Sequence, residues 1–246
     1  MALRLERVSP AVAAKAAPFL EGLAQVAGPG LHSLYLVGSA VTTDWVAGRS
    51  DINTLLVLSD LHLGVLEAIA PLGQRFKGAG IAPPLVMDVG YVNSSLDVFP
   101  MEFLELRLIH ETVLGEDLLA ALAIDRGDLR QQCEREIKSR LIGLRQGYLR
   151  ALGEPKALTE TLARFLSGYQ PLARGILVLL GKEPPVRRAE AFAALAAATG
   201  IDAGVFAEML ALKEGRAKPD ATGVRDLFAR CHKATEQLGR LLDEHA

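Results

Sequence analysis

The hydrophobic and polar positions of this chain fall into two textures. Before about residue 126, short apolar runs alternate with turns marked by Gly and Pro. Ala-rich residues 9–27 repeat with helical spacing, with Ser9 as a candidate N-cap and Gly28-Pro29-Gly30 as the stop. Leu34 to Val37 forms a short run of strand formers that ends at Gly38, and Asn53 to Leu58 forms a second. A helix is expected from about Leu61 to Lys77, closed by Gly78 and Gly80. Leu85 to Val89, after Pro83-Pro84, reads as a third strand, and Met101 to Leu106, introduced by Pro100, as a fourth.

Beyond residue 126 the alternation gives way to apolar steps of three and four. Arg126 to Leu152 carries Leu129, Cys133, Ile137, Leu141, Leu144 and Tyr148 as one stripe, broken by Gly153-Glu154-Pro155. Lys156 to Leu180 follows, with a kink expected at Pro171. Ala189 to Ala198, Ala203 to Leu212 and Val224 to Glu244 complete five expected helices, best arranged as an antiparallel bundle. The expected organisation is therefore an α+β domain over 1–124 and an all-α bundle over 125–246.

Composition narrows the function classes. Half of the 246 residues are hydrophobic, enough for a sizeable core. A net charge of -2 argues against a broad nucleic-acid surface, though not against a small nucleotide held by local Lys and Arg. Cys133 and Cys231 lack metal-ligand spacing and read as reduced thiols. The start, MALRLERVSP, lacks a signal-peptide core, and no run approaches the ~18 apolar residues of a membrane span. The expectation is a soluble, cytoplasmic protein without a membrane partner.

Candidate chemistry collects between Ser33 and Leu58. In a strand, positions i and i+2 share a face, so Asp51 and Asn53 should project together beside the turn holding Gly38 and Ser39. Such a turn offers backbone N–H groups and a hydroxyl to phosphate oxygens. Oxygen ligands below phosphates are the layout of a magnesium-nucleotide site.

This pattern, hydrophobic-Gly-Ser, a connection with a Gly, then Ser-Asp-x-Asn and a hydrophobic strand, resembles the nucleotidyltransferase superfamily. That group includes DNA polymerase β and the aminoglycoside and minimal nucleotidyltransferases. The resemblance covers roughly residues 30–120. It implies a mixed sheet flanked by helices, with Mg2+ as cofactor and ATP or another nucleoside triphosphate as substrate. Gly38 and Ser39 match the phosphate-gripping turn, Ser50 the residue before the first carboxylate, and Asp51 the first metal-binding aspartate. Arg49 is placed either to neutralise a triphosphate or to pair on the surface.

The chain departs from the pattern at Asn53, where the superfamily has its second aspartate. An amide keeps a ligating carbonyl oxygen but loses the charge that magnesium favours. Two candidates compete for the third acid of the resemblance. Glu102, in MEFLEL, matches the minimal members and is slightly preferred; Asp88, in LVMDV, matches the aminoglycoside members. The implied activity is transfer of a nucleoside monophosphate from Mg-ATP to a hydroxyl of a small molecule or macromolecule, weakened by Asn53. The alternative is a degenerate relative serving in nucleotide binding or as an antitoxin-like interaction module. A homodimer through the bundle stays open.

Overall fold

The computed structural model describes residues 2–244. The chain divides into two compact units, the first ending at Ile124 and the second beginning at Asp125.

The first unit is built on a four-stranded mixed sheet. Helix α1 (Pro10–Ala27) starts where the Ser9 hydroxyl accepts the Val12 N–H at 3.4 Å, and its first residue is a proline, whose missing N–H costs nothing there. Strand β1 (Leu31–Val37) runs into a short 3-10 turn at Gly38–Val41. Strand β2 (Asn53–Leu58), helix α2 (Leu63–Phe76) and strand β3 (Leu85–Asp88) follow. Helices α3 (Val89–Ser94) and α4 (Pro100–Leu108) then lead to strand β4 (His110–Gly115). The strand order is β3-β2-β1-β4, with β1 antiparallel to both neighbours and β2 parallel to β3.

Side-chain alternation divides the core between the two faces of the sheet. Leu34, Leu36, Ile52, Leu56 and Leu58 pack with Phe19, Leu20 and Leu23 of α1 and Ile69 of α2. Tyr35, Val37, Leu55 and Val57 pack on the other face with Val92 of α3, Phe103 of α4, Leu119 and Leu122. Buried on both faces, β1 and β2 read as continuous apolar runs.

One expectation about this unit, the place of the fourth strand, is corrected. Met101 to Leu106 is helical, inside α4, with Pro100 at the first helical position. Its burial pattern fits either period: Met101 and Phe103 are two apart, while Pro100 and Leu104 are four apart. The fourth strand is instead His110–Gly115. Gly115 is required there: its φ is +76°, and a β-carbon would run into the His32 carbonyl and lie 2.8 Å from the Ser33 Cα.

Among the described residues, the second unit has six helices: α5 (Arg126–Ala151), α6 (Pro155–Leu166), α7 (Tyr169–Leu179), α8 (Arg188–Thr199), α9 (Gly204–Lys213) and α10 (Ala221–Glu244). The expected single helix from Lys156 to Leu180 is two helices. The break falls at Ser167 and Gly168, and Pro171 sits harmlessly in the first turn of α7. Two of the large polar side chains buried in the bundle, Tyr169 and Arg174, find partners there. Tyr169 Oη and Thr235 Oγ1 are 2.6 Å apart, and Arg174, only 2 % exposed, donates from Nε to the Pro185 carbonyl at 2.9 Å. Both cysteines are buried free thiols, and burial pushes Cys231 up to about 11. Among the described residues, no helix is long and apolar enough to cross a membrane.

Candidate functional site

The corner where β1 ends and β2 begins brings together part of the expected site. Val37 and Asn53 are paired across the two strands. Gly38 holds φ +69°, and a β-carbon on it would lie 3.9 Å from Asn53 Nδ2, so the amide stands beside the turn. Ile52 is already in register: its N–H donates to the Gly80 carbonyl at 2.9 Å, and its side chain enters the core on the α1 and α2 face. Alternation then turns Asp51 and Asn53 to the other side, and both are exposed.

The turn is more structured than its composition implies. The Gly38 N–H donates to the Ile109 carbonyl at 3.0 Å, which removes it from the donors open to a ligand. The Ser39 carbonyl accepts from both the N–H of Thr42 (3.0 Å) and its hydroxyl (3.1 Å). What the turn can offer a phosphate is the backbone of its first helical residues and the Ser39 hydroxyl. Ser50 closes the connection itself: its Oγ accepts the Val46 N–H at 3.1 Å, and its own N–H donates to the Val46 carbonyl at 2.9 Å. Arg49 is exposed on the same loop. Trp45 packs against the core, with Lys15 Nζ 5.9 Å from its ring centroid.

The two candidates for a third acid stand elsewhere in the fold. Asp88 pairs with Leu58, at the far end of β2 from Asn53. At ~3.3 Å per residue that is about 16 Å away, and Leu58 faces the opposite core. Asp88 caps α3, its Oδ1 accepting the Tyr91 N–H at 2.7 Å. Glu102 lies in the first turn of α4, where a carboxylate complements the helix dipole. It precedes Ile109, the partner of Gly38, by about two turns of helix, on the order of 10 Å of rise. The strand on which its role as a ligand rested is absent.

The register also identifies what borders Asn53 on the β3 side. Pairing of Leu55 with Leu85, and of Ile52 with Ile81, brings Ala82-Pro83-Pro84 alongside it, with no carboxylate. Among the described residues, no three His, Cys, Asp or Glu side chains form a group able to hold a metal ion. Of the ligands that the resemblance implied, alternation turns one carboxylate, Asp51, and one amide, Asn53, to the same side. That set suits a single magnesium ion that arrives on nucleotide phosphates and keeps several waters; it does not suit a pair of ions.

His110 opens β4, paired with Val37 at the end of β1. Its Nδ1 meets the Leu106 carbonyl at 2.8 Å and its Nε2 meets Asp117 Oδ1 at 3.0 Å, so both nitrogens tie the end of α4 to the loop after β4. Tyr35 braces the same loop, donating to the Glu116 carbonyl and accepting the Leu118 N–H, each at 2.9 Å. Burial raises the Tyr35 hydroxyl above its ordinary range. The sequence signalled neither the Ile109 carbonyl that engages Gly38 nor the acid-free stretch opposite Asn53, because both depend on strand register.

In the bundle unit, several cations are engaged by the unit's own groups. Lys138 pairs with Glu134 and Asp243, Arg145 pairs with Glu236, and Arg174 is buried on carbonyls.

Sheet order, strand directions and flanking helices define a nucleotidyltransferase-type α+β fold. Among solved structures, the chain is similar to spectinomycin adenyltransferase AAD(9) from Enterococcus faecialis, a crystal structure with ATP and spectinomycin. The match has a TM-score of 0.50 at 12% identity and covers 92% of this chain and 98% of that one. At that identity the likeness establishes the fold. No known protein family matches the chain in sequence, and no curated protein does either.

Proposed function

We propose that this chain is a nucleotidyltransferase. In this reading it takes ATP, or another nucleoside triphosphate, at the Gly38–Asn53 corner and passes the nucleoside monophosphate to a hydroxyl of a small molecule or macromolecule. The observation that carries the proposal is the placement of the Asn53 amide beside the positive-φ Gly38, with Asp51 two residues before it on the same side. The solved neighbour that shares this fold was crystallised with ATP and spectinomycin.

The proposed roles follow from the groups present. Ser39, through its hydroxyl and the start of its helical turn, holds the β- and γ-phosphates, and Arg49 offsets their charge. Asp51 and the Asn53 carbonyl oxygen orient a magnesium ion brought by the nucleotide. When bound, that ion would neutralise charge on the phosphate oxygens as pyrophosphate leaves. The corner lacks an established base for the attacking hydroxyl, so turnover is expected to be slow.

A second reading rests on Asn53, an amide where the resemblance has an aspartate. It makes the chain a nucleotide-binding or interaction module on the same fold, without transfer. Incubation with labelled ATP, magnesium and a panel of hydroxyl acceptors, spectinomycin among them, separates the two. Pyrophosphate release that Asp51→Ala abolishes is the expected result. ATP binding without release would favour the second reading, and absence of any nucleotide binding would overturn the transferase.

A further inference from the structure

The bundle unit holds a second candidate site, unrelated to the corner just described. A cavity of about 490 Å³ opens on α5 and α10, within the ~300–1,000 Å³ of small-ligand pockets. Its apolar lining is Tyr148, Leu149, Phe228 and Ala229, and its polar lining is Arg145, Arg225 and His232. The Tyr148 and Phe228 rings meet at 5.3 Å between centroids, tilted by 50°.

Two features mark this surface as built for something besides the fold. Along α5, Ile142 and Leu149 share one helical face, and Leu152 continues it at the helix end. These side chains are 56 %, 71 % and 87 % exposed. Leu152 also holds φ +48°, a left-handed conformation that costs a non-glycine residue about 1–2 kcal/mol. Burial of its side chain does not offset that cost.

The charges around the cavity do not cancel. Arg145 gives Nη2 to Glu236 at 3.0 Å and Nε to His232 Nε2 at 3.3 Å, so its charge is matched by one carboxylate. Arg225 gives one hydrogen bond, to the Gly153 carbonyl at 3.2 Å, and among the described residues it has no ion-pair partner. One cation beside an apolar, aromatic-walled cavity calls for one anion attached to an apolar body.

We propose that this cavity binds a small amphipathic carboxylate, its apolar part against Tyr148, Leu149 and Phe228 and its carboxylate on Arg225. The assignment is independent of nucleotide binding in the other unit. The test titrates the full chain with octanoate and with octanol by calorimetry, with the thermal unfolding of each variant as a check on folding. Octanoate should bind at one site, at least tenfold more tightly than octanol. Arg225→Gln should weaken octanoate five- to tenfold and leave octanol unchanged, and Ala229→Trp should abolish both. Equal affinity for the two ligands, indifference to Arg225→Gln, or no saturable binding would overturn the proposal. So would a dimer in sedimentation that Leu149→Glu dissolves, since the face would then belong to a second copy.

Discussion

At the β1–β2 corner of the sheet unit the exposed side chains are polar; along α5 of the bundle unit an exposed strip is apolar. Asp51 and Asn53 stand exposed at the entrance to β2, although that strand is held by backbone pairing and by Leu55 to Leu58. On α5, the exposed surplus is Ile142, Tyr148, Leu149 and Leu152, while Leu129, Ile137 and Leu144 supply the core. The sheet is specified by register, where a few glycines meet backbone demands. The bundle is specified by side-chain stripes and by buried hydroxyl and guanidinium groups that find partners. A ligand site in the first is therefore sought among carboxylate and amide groups on a rigid corner, and in the second among apolar residues left outside the core.

The largest effect expected from this contrast concerns the register of the sheet. Gly115→Ala forces a β-carbon against the His32 and Ser33 backbone at positive φ. It should destabilise the protein by about 3 kcal/mol or more in denaturant unfolding. An equivalent glycine of the bundle, Gly181, has φ +68° and open space, so Gly181→Ala should cost only about 1 kcal/mol. Equal losses would break the distinction between the units.

Buried chemistry in the bundle gives the next effect. The Cys231 thiol is raised from 9.0 to about 11, chiefly by burial. The unfolded thiol therefore ionises first, and the contribution is whole below pH 9 and lost as pH rises to about 11. That loss amounts to about 2–3 kcal/mol. Cys231→Ala should flatten stability over this range, as read by chemical denaturation at each pH; an unchanged slope would place the thiol in water.

A smaller effect is expected at the exposed strip. Leu152→Gly relieves the left-handed residue without removing core contacts, and should leave stability equal or higher by up to about 1 kcal/mol. Destabilisation of that size would mean that the Leu152 side chain supports the bundle.

Legibility from sequence followed the same division. The Ser9 cap, the β1–Gly38 turn, the start of β2 and the long stripe of α5 were readable, because each is set by local spacing. MEFLEL was not, since six residues with Met101, Phe103 and Leu104 buried satisfy strand and helix periods alike. Pro100 at the first helical position was the signal that favoured the helix. Strand β4 was hidden by its short, half-polar HETVLG sequence, and with it the Ile109 carbonyl that occupies the Gly38 N–H. The place of Asp88 was hidden for a related reason: its distance from Asn53 depends on parallel register, which composition does not encode.

The proposed function requires the corner of β1 and β2 to receive a metal-borne triphosphate. Calorimetric titration of ATP, with and without magnesium, into the natural protein, Asp51→Ala and Asn53→Asp tests this most directly. Magnesium-dependent binding is predicted, lost by at least tenfold in Asp51→Ala and strengthened about tenfold, or ~1.4 kcal/mol, in Asn53→Asp. Affinities that ignore both substitutions and the metal would contradict it.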